Sequence, residues 1–292
     1  MRTLLSAIFA MALLTLASCQ SNEENISEVN ATLKLSSTES NVWRTIGTRA
    51  ATSTNDFYYV LDANSICKTA VGETHGTPHN SEKLLPTGTY NVFCITNVDP
   101  SGIRFESSMI GADYSTQAMV INTLTDVCLG QQPLNIVPSK TIYDINVPVN
   151  HILAKLALSI ANVPADIATV TLTLGNASKT FTLDGNFAED GTTLTLDLQK
   201  ATTTNTDDTY NWTLPETLIY PCQSGATTTV ITIVATDTNG NTTTYETSAA
   251  TVCSSGTRTS LTTTWRTLAN QLHYSYTENP WTETVQQGTF DM

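Results

Sequence analysis

The sequence predicts a mostly β protein, built as two β-sandwich domains in tandem. Three observations carry that expectation. Threonine and other β-branched residues are abundant while charged residues make up only 13% of the chain, which favours pleated surfaces over helices. Apolar residues recur at period two in many short segments. Gly, Asn, Asp and Pro punctuate those segments as turn residues do.

The elements follow in order. Leu4 to Leu16 is an almost unbroken apolar run behind Arg2, and it ends in Leu16-Ala17-Ser18-Cys19. Small residues directly before a cysteine fit a lipoprotein signal, cleaved between Ser18 and Cys19 with lipid on the Cys19 thiol. The run has signal-peptide length rather than membrane-spanning length. Residues 1–18 are thus expected to be a signal peptide, and residues 19–30, with Glu23, Glu24 and Glu28, a lipidated polar tether. Ala31, Leu33 and Leu35 then alternate with Thr32, Lys34 and Ser36, a half-buried strand. A polar stretch from Ser36 to Asn55 carries Arg44 and Arg49. The strand Phe57 to Leu61 follows, and after an expected long loop the turn Leu85-Pro86-Thr87-Gly88 launches a strand to Thr96.

His151 to Val163 has enough Ala and Leu for a helix, but Ile152, Ala154, Leu156, Leu158 and Ile160 fall at period two and favour a strand. Val170, Leu172 and Leu174 make another, with a turn expected at Gly175-Asn176 before Phe181 and Leu183. Leu194, Leu196 and Leu198 alternate again. Val230 to Ala235 enters Asn239-Gly240 and leaves through Thr242 to Tyr245, a hairpin signal. The division falls near Val147-Pro148-Val149, giving domains at 31–148 and 149–292.

The net charge of −13 argues against nucleic acid and against broad adhesion to anionic lipid. With Cys19 lipidated, Cys67, Cys94, Cys128, Cys222 and Cys253 remain. They form no Cys-x-x-Cys unit, and burial as small apolar groups is the expected fate of most.

The chain carries no nucleophile elbow, phosphate loop, dinucleotide fingerprint or paired-histidine zinc helix, so it is read as no enzyme, with no catalytic residues, cofactor or metal. His75 and His79 stand near Glu73 and Glu82, but Gly76 and Pro78 prevent a helix from aligning the two rings. Asp237 to Asn241 lacks the acids of a calcium loop and reads as a hairpin turn. Trp43, Trp212, Trp265 and Trp281 are expected to cover core edges, with a sugar-stacking platform as the alternative.

Taken in order, several segments resemble the fimbrillin superfamily of Bacteroidales, the lipoprotein subunits of type V pili. These are the signal ending at Cys19 with Glu23-Glu24 behind it, the alternating strand from Ala31, and the loop ending Gly47-Thr48-Arg49-Ala50. Phe57 to Asp62, Leu85 to Phe93, His151 to Ile160 and Asn270 to Tyr276 continue the series. The resemblance implies two transthyretin-like β-sandwich domains and export to the outer membrane surface. It also implies donor-strand assembly, in which an Arg-specific protease removes the lipid-bearing first strand and a strand of the next subunit fills the groove. Ala31, Leu33 and Leu35 would form the removable strand, with Arg49-Ala50 the preferred bond and Arg44-Thr45 the second. Thr282 to Met292 is the candidate donor strand, with poor alternation.

The function expected is a cell-surface fimbrial structural or adhesive subunit, held to the membrane by lipid or released into a fimbrium. Its partners would be other pilus subunits through strand addition, and a host or bacterial surface ligand. The alternative is a surface glycan-binding lipoprotein of a polysaccharide-uptake system.

Overall fold

A computed structural model describes residues 28–39, 55–74, 78–98, 110–114, 117–250, 253–265, 273–280 and 286–288. Ser18, Cys19, Trp43, Arg44, Arg49, Ala50, His75 and Trp281 lie outside them. Among the described residues the secondary structure is all β. The first half contains β1 (Glu28–Glu39), β2 (Asn55–Asp62), β3 (Cys67–Thr74), β4 (His79–Pro86), β5 (Gly88–Val98), β6 (Met119–Val120), β7 (Cys128–Ile136) and β8 (Ile142–His151). The second contains β9 (Ala154–Pro164), β10 (Ile167–Ala177), β11 (Thr180–Phe181), β12 (Thr192–Asp197), β13 (Gln199–Thr204) and β14 (Thr209–Ile219). It continues with β15 (Thr228–Asp237), β16 (Thr242–Ala250), β17 (Thr257–Thr264), β18 (His273–Pro280) and β19 (Gln286–Gly288).

The first seven-stranded sheet runs β3-β2-β5-β7-β8-β1-β4. Its middle joint is narrow: β7 meets β8 at only three pairs, Cys128↔His151, Leu129↔Asn150 and Gly130↔Val149. Beyond that joint the two strands diverge. Alternating residues from both parts, including Leu33, Leu35, Tyr58, Val60, Tyr90, Val92, Leu134, Tyr143, Ile145 and Val147, share one core cluster, as facing sandwich layers do. A four-stranded sheet, β12-β10-β15-β16, and a six-stranded sheet, β13-β14-β9-β17-β18-β19, share a second core. Leu156, Leu158 and Ile160 of β9 face Leu172, Leu174, Ile231 and Ile233 there. A third cluster draws Tyr59, Ile95 and Met119 together with Ile152, Leu153, Phe181 and Phe187, and the β6–β11 bridge closes over the same region.

The mostly β expectation holds, with three local corrections. The expected long loop before Gly88 contains β3 and β4. Both are edge strands of their sheet, so solvent dilutes the alternation that would have marked them. His151 ends β8, and the following strand starts at Ala154; Ile152 and Leu153 are both buried, which breaks the period of two. Gly175-Asn176 is a bulge within β10, where Asn176 takes φ 59° and the register against β12 shifts between Leu174 and Ala177. β8 runs through Val147-Pro148-Val149 without a break.

All five cysteines among the described residues are buried, with no disulfide. Trp212 is buried in the second core and Trp265 packs edge-on against Tyr245, with ring centroids 5.0 Å apart. The Asn239-Gly240 hairpin joins β15 to β16; Asp237 accepts hydrogen bonds from the Asn239 and Asn241 N–H groups at 2.8 Å each, the geometry of an Asx turn.

Candidate functional site

The side chains expected to act together, Ala31, Leu33 and Leu35, meet in β1, and each is 0% exposed. Period two sends Val29 inward with them, while Glu28, Asn30 and Lys34 face solvent. The strand is inserted between two others. It pairs antiparallel with β4 over eight positions, from Glu28↔Pro86 to Leu35↔His79. On the other side it pairs parallel with β8 over eight positions, from Thr32↔Ile142 to Glu39↔Val149. Leu33 is thus flanked by Ser81 and Tyr143, and Leu35 by His79 and Ile145.

Further bonds fasten the same strand. The Thr32 N–H donates to the Thr141 carbonyl at 2.6 Å, and the Thr38 hydroxyl to Asn146 Oδ1 at 2.8 Å. Lys34 Nζ lies 3.6 Å from Asp144, but both groups are well exposed, so the pair adds little. The floor of the bed is largely apolar. Burial above all, with the nearby Asp56 carboxylate adding to it, pushes the Tyr58 hydroxyl and the Cys94 thiol well above their ordinary pKa values, so both stay neutral. Burying Val29, Leu33 and Leu35 is worth on the order of 5–9 kcal/mol before the entropy of ordering the strand is subtracted.

What β1 leaves behind when absent follows from the topology. β4 stands at the end of the sheet order with β1 as its neighbour. β8 would keep only its three-pair joint to β7. Two strand edges and an apolar floor would then be open together, a receptor for another extended segment. Sequence reasoning finds the inserted strand but misses its walls. The signal for β8 is present in Tyr143, Ile145, Val147 and Val149, which alternate without interruption and are all buried.

Part of the candidate donor segment is described as β19, which pairs with β18 of the same chain through Tyr276↔Gly288, Thr277↔Gln287 and Glu278↔Gln286. A cleft of about 230 Å³ opens where β7 and β8 diverge, lined by Gln132, Leu134, Lys140, Tyr143 and Asn146 among others, with no tryptophan. No helix among the described residues is long and apolar enough to cross a membrane.

Facing β-sheets with a strand inserted into one of them define an all-β, sandwich-like protein. Residues 21–287 match the family of fimbrillin-A associated anchor proteins Mfa1 and Mfa2, and the chain belongs to that family. The family is one of fimbrial structural and adhesin proteins rather than of enzymes, and it supports a fimbrial subunit role at the cell surface. Among solved structures, the chain is similar to the fimbrial anchor protein Mfa2 from Porphyromonas gingivalis, with TM-score 0.56 and 13% identity over 89% of this chain and 100% of that one. It is similar to a candidate cell adhesion protein from Bacteroides eggerthii, with TM-score 0.63 and 11% identity over 90% and 98%. A candidate polysaccharide-binding protein from Bacteroides thetaiotaomicron gives TM-score 0.55 and 10% identity over 90% and 99%. At these identities the likeness is one of fold. No curated protein matches.

Proposed function

We propose that the chain is a fimbrial subunit exported as a lipoprotein through Cys19, organised as sandwich domains at 31–148 and 149–292, and joined to its neighbours by strand addition. The observation that carries this reading is the seat of β1. It is an inserted strand with apolar residues on one face and hydrogen-bonded partners on both edges. With β1 in place the groove is occupied and the subunit is complete, as an anchor requires. With β1 cut away after Arg49 the groove opens, as a polymerising subunit requires. The 40–54 segment links β1 to β2, and it holds both Arg44 and Arg49.

N-terminal sequencing of the protein recovered from the cell surface separates the two fates. A polymerising subunit yields a fragment beginning at Ala50, which an Arg49→Ala substitution abolishes. A chain that stays full length and lipidated in all fractions excludes the stalk role and leaves the anchor.

Likeness to a candidate polysaccharide-binding protein supports the second reading, a surface glycan-binding lipoprotein. Two of the four tryptophans it would use are packed in the second core. That reading therefore depends on Trp43 and Trp281, and glycan-array binding lost on Trp43→Ala or Trp281→Ala is its direct assay.

A further inference from the structure

Asp126, Cys128 and His151 converge at the β7–β8 joint, although nothing in their spacing along the chain suggests it. Cys128 and His151 are cross-strand partners, so their side chains emerge on one face. Asp126 stands two residues before Cys128, just ahead of β7, and its carboxylate reaches the same side chains. The His151 Nδ1 lies 2.7 Å from Asp126 Oδ1 and 3.3 Å from Cys128 Sγ. All three donor atoms fall within 4.8 Å of one another. Cys128 is fully buried and His151 nearly so, while the Asp126 side chain keeps 24% exposure and opens a path from solvent. Asn97 Nδ2 donates to the Asp126 carbonyl at 2.8 Å, which holds that end of the cluster in place.

A Cys–His–Asp nucleophile relay does not fit this geometry. Such a relay needs the thiol on one ring nitrogen and the carboxylate on the other. Here both meet the same Nδ1. Convergence of three different donors on one point is instead the arrangement of a metal site. We propose that Asp126 Oδ1, Cys128 Sγ and His151 Nδ1 bind a zinc-like divalent cation, with water in the fourth position. Thiolate with imidazole and one carboxylate suits zinc, whereas calcium and magnesium take oxygen ligands. Zinc–nitrogen bonds of about 2.0–2.1 Å and zinc–sulfur bonds of about 2.3 Å in a tetrahedron separate donors by roughly 3.3–3.7 Å. The Cys128–His151 distance meets that already. The Asp126 carboxylate must withdraw by somewhat under 1 Å, and it lies just outside β7, where the ladder does not restrain it.

Binding breaks the Cys128 S–H bond and releases that proton to solvent, because the thiolate is the ligand. His151 coordinates as the neutral ring: the Nδ1 proton that bridges to Asp126 leaves, and by exchange with solvent the ring carries its single proton on Nε2 instead, with no net proton released from it. The hydrogen bond between His151 and Asp126 is replaced by two bonds to the cation. The consequence is structural: the cation would staple the two parts of the first sheet at the only three pairs joining β7 to β8.

Cobalt(II) titration of the purified, metal-free full chain tests this, because thiolate ligation produces a sulfur-to-cobalt charge-transfer band. The expected result is one equivalent bound, the band lost on Cys128→Ser, and zinc displacing cobalt while excess calcium does not. His151→Gln and Asp126→Asn should each weaken binding by at least about tenfold. Zinc should also raise the wild-type melting temperature, as binding to the folded state does. A wild-type titration without the band overturns the proposal, as does a band that persists in Cys128→Ser. Should Cys128→Ser fail to fold by circular dichroism, His151→Gln and Asp126→Asn decide in its place, and unchanged affinity in both overturns the proposal.

Discussion

Leu33→Asp is expected to unfold the first sandwich or leave it barely stable. Leu33 is 0% exposed in the centre of the inserted strand, between Ser81 and Tyr143. Truncating a buried leucine to alanine costs about 2–5 kcal/mol. A carboxylate there adds the cost of removing a charge from water into a cluster of apolar side chains, so the total reaches about 5 kcal/mol or more, comparable with the whole stability of many domains. The neighbouring Lys34→Ala is the control. Lys34 points outward to an exposed ion pair with Asp144, and its loss should cost at most about 1 kcal/mol. Urea denaturation followed by circular dichroism reads both. Equal losses at positions 33 and 34 would mean that β1 is not alternating into the core.

Gly130→Ala is expected to be the second severe change. A Cβ built on Gly130 would lie 1.9 Å from the Pro148 carbonyl oxygen, with the Pro148 carbon at 2.8 Å and the Val149 Cα at 2.9 Å. These are backbone atoms of β8, so no rotamer change relieves the contact. The β7–β8 joint has only three pairs, and Gly130↔Val149 is one of them. Overpacking usually costs about 1–3 kcal/mol, and a clash of backbone on backbone belongs at or above the top of that range. The denaturation midpoint should fall accordingly, with the loss centred on the first sheet. A midpoint within experimental scatter of wild type would show that β7 and β8 do not approach as described.

Both changes locate what the sequence can and cannot express. Alternation at Ala31, Leu33 and Leu35 tells which side of β1 is buried, because the pleat imposes that on any half-buried strand. It cannot tell which strands flank it. Thr32 pairs with Ile142 across more than a third of the chain, and such pairings leave no local mark. β3 and β4 are not legible because each is an edge strand, and Asn80, Glu82 and Leu84 of β4 are exposed. The residue pattern around His151 joins smoothly to the next strand, so it points to the wrong one. Only the burial of both Ile152 and Leu153 reveals the break. The same distance effect hides the Asp126, Cys128 and His151 cluster. Gly130 carries no signal either, since its need for glycine arises from a neighbour's carbonyl and not from its own turn.

The family places the chain among fimbrial proteins. Under the proposed assembly by strand addition, that role needs a groove that accepts a strand. Among the described residues, the seat of β1 combines open-edge hydrogen bonding with an apolar floor. An anchor would keep its own strand there, whereas a polymerising subunit would exchange it. In the proposed assembly the two fates would share one groove.

The most direct measurement of that claim is strand exchange. A specific protease site placed between residues 40 and 54 of the full chain allows β1 to be cut from β2 while it remains seated. The cut protein is then incubated with a labelled peptide spanning Glu28 to Glu39. Uptake of one peptide per chain, with release of the original strand and no uptake of the Leu33→Asp peptide, is the predicted result. A cut chain that stays folded yet takes up no peptide, or takes up both peptides equally, would contradict it.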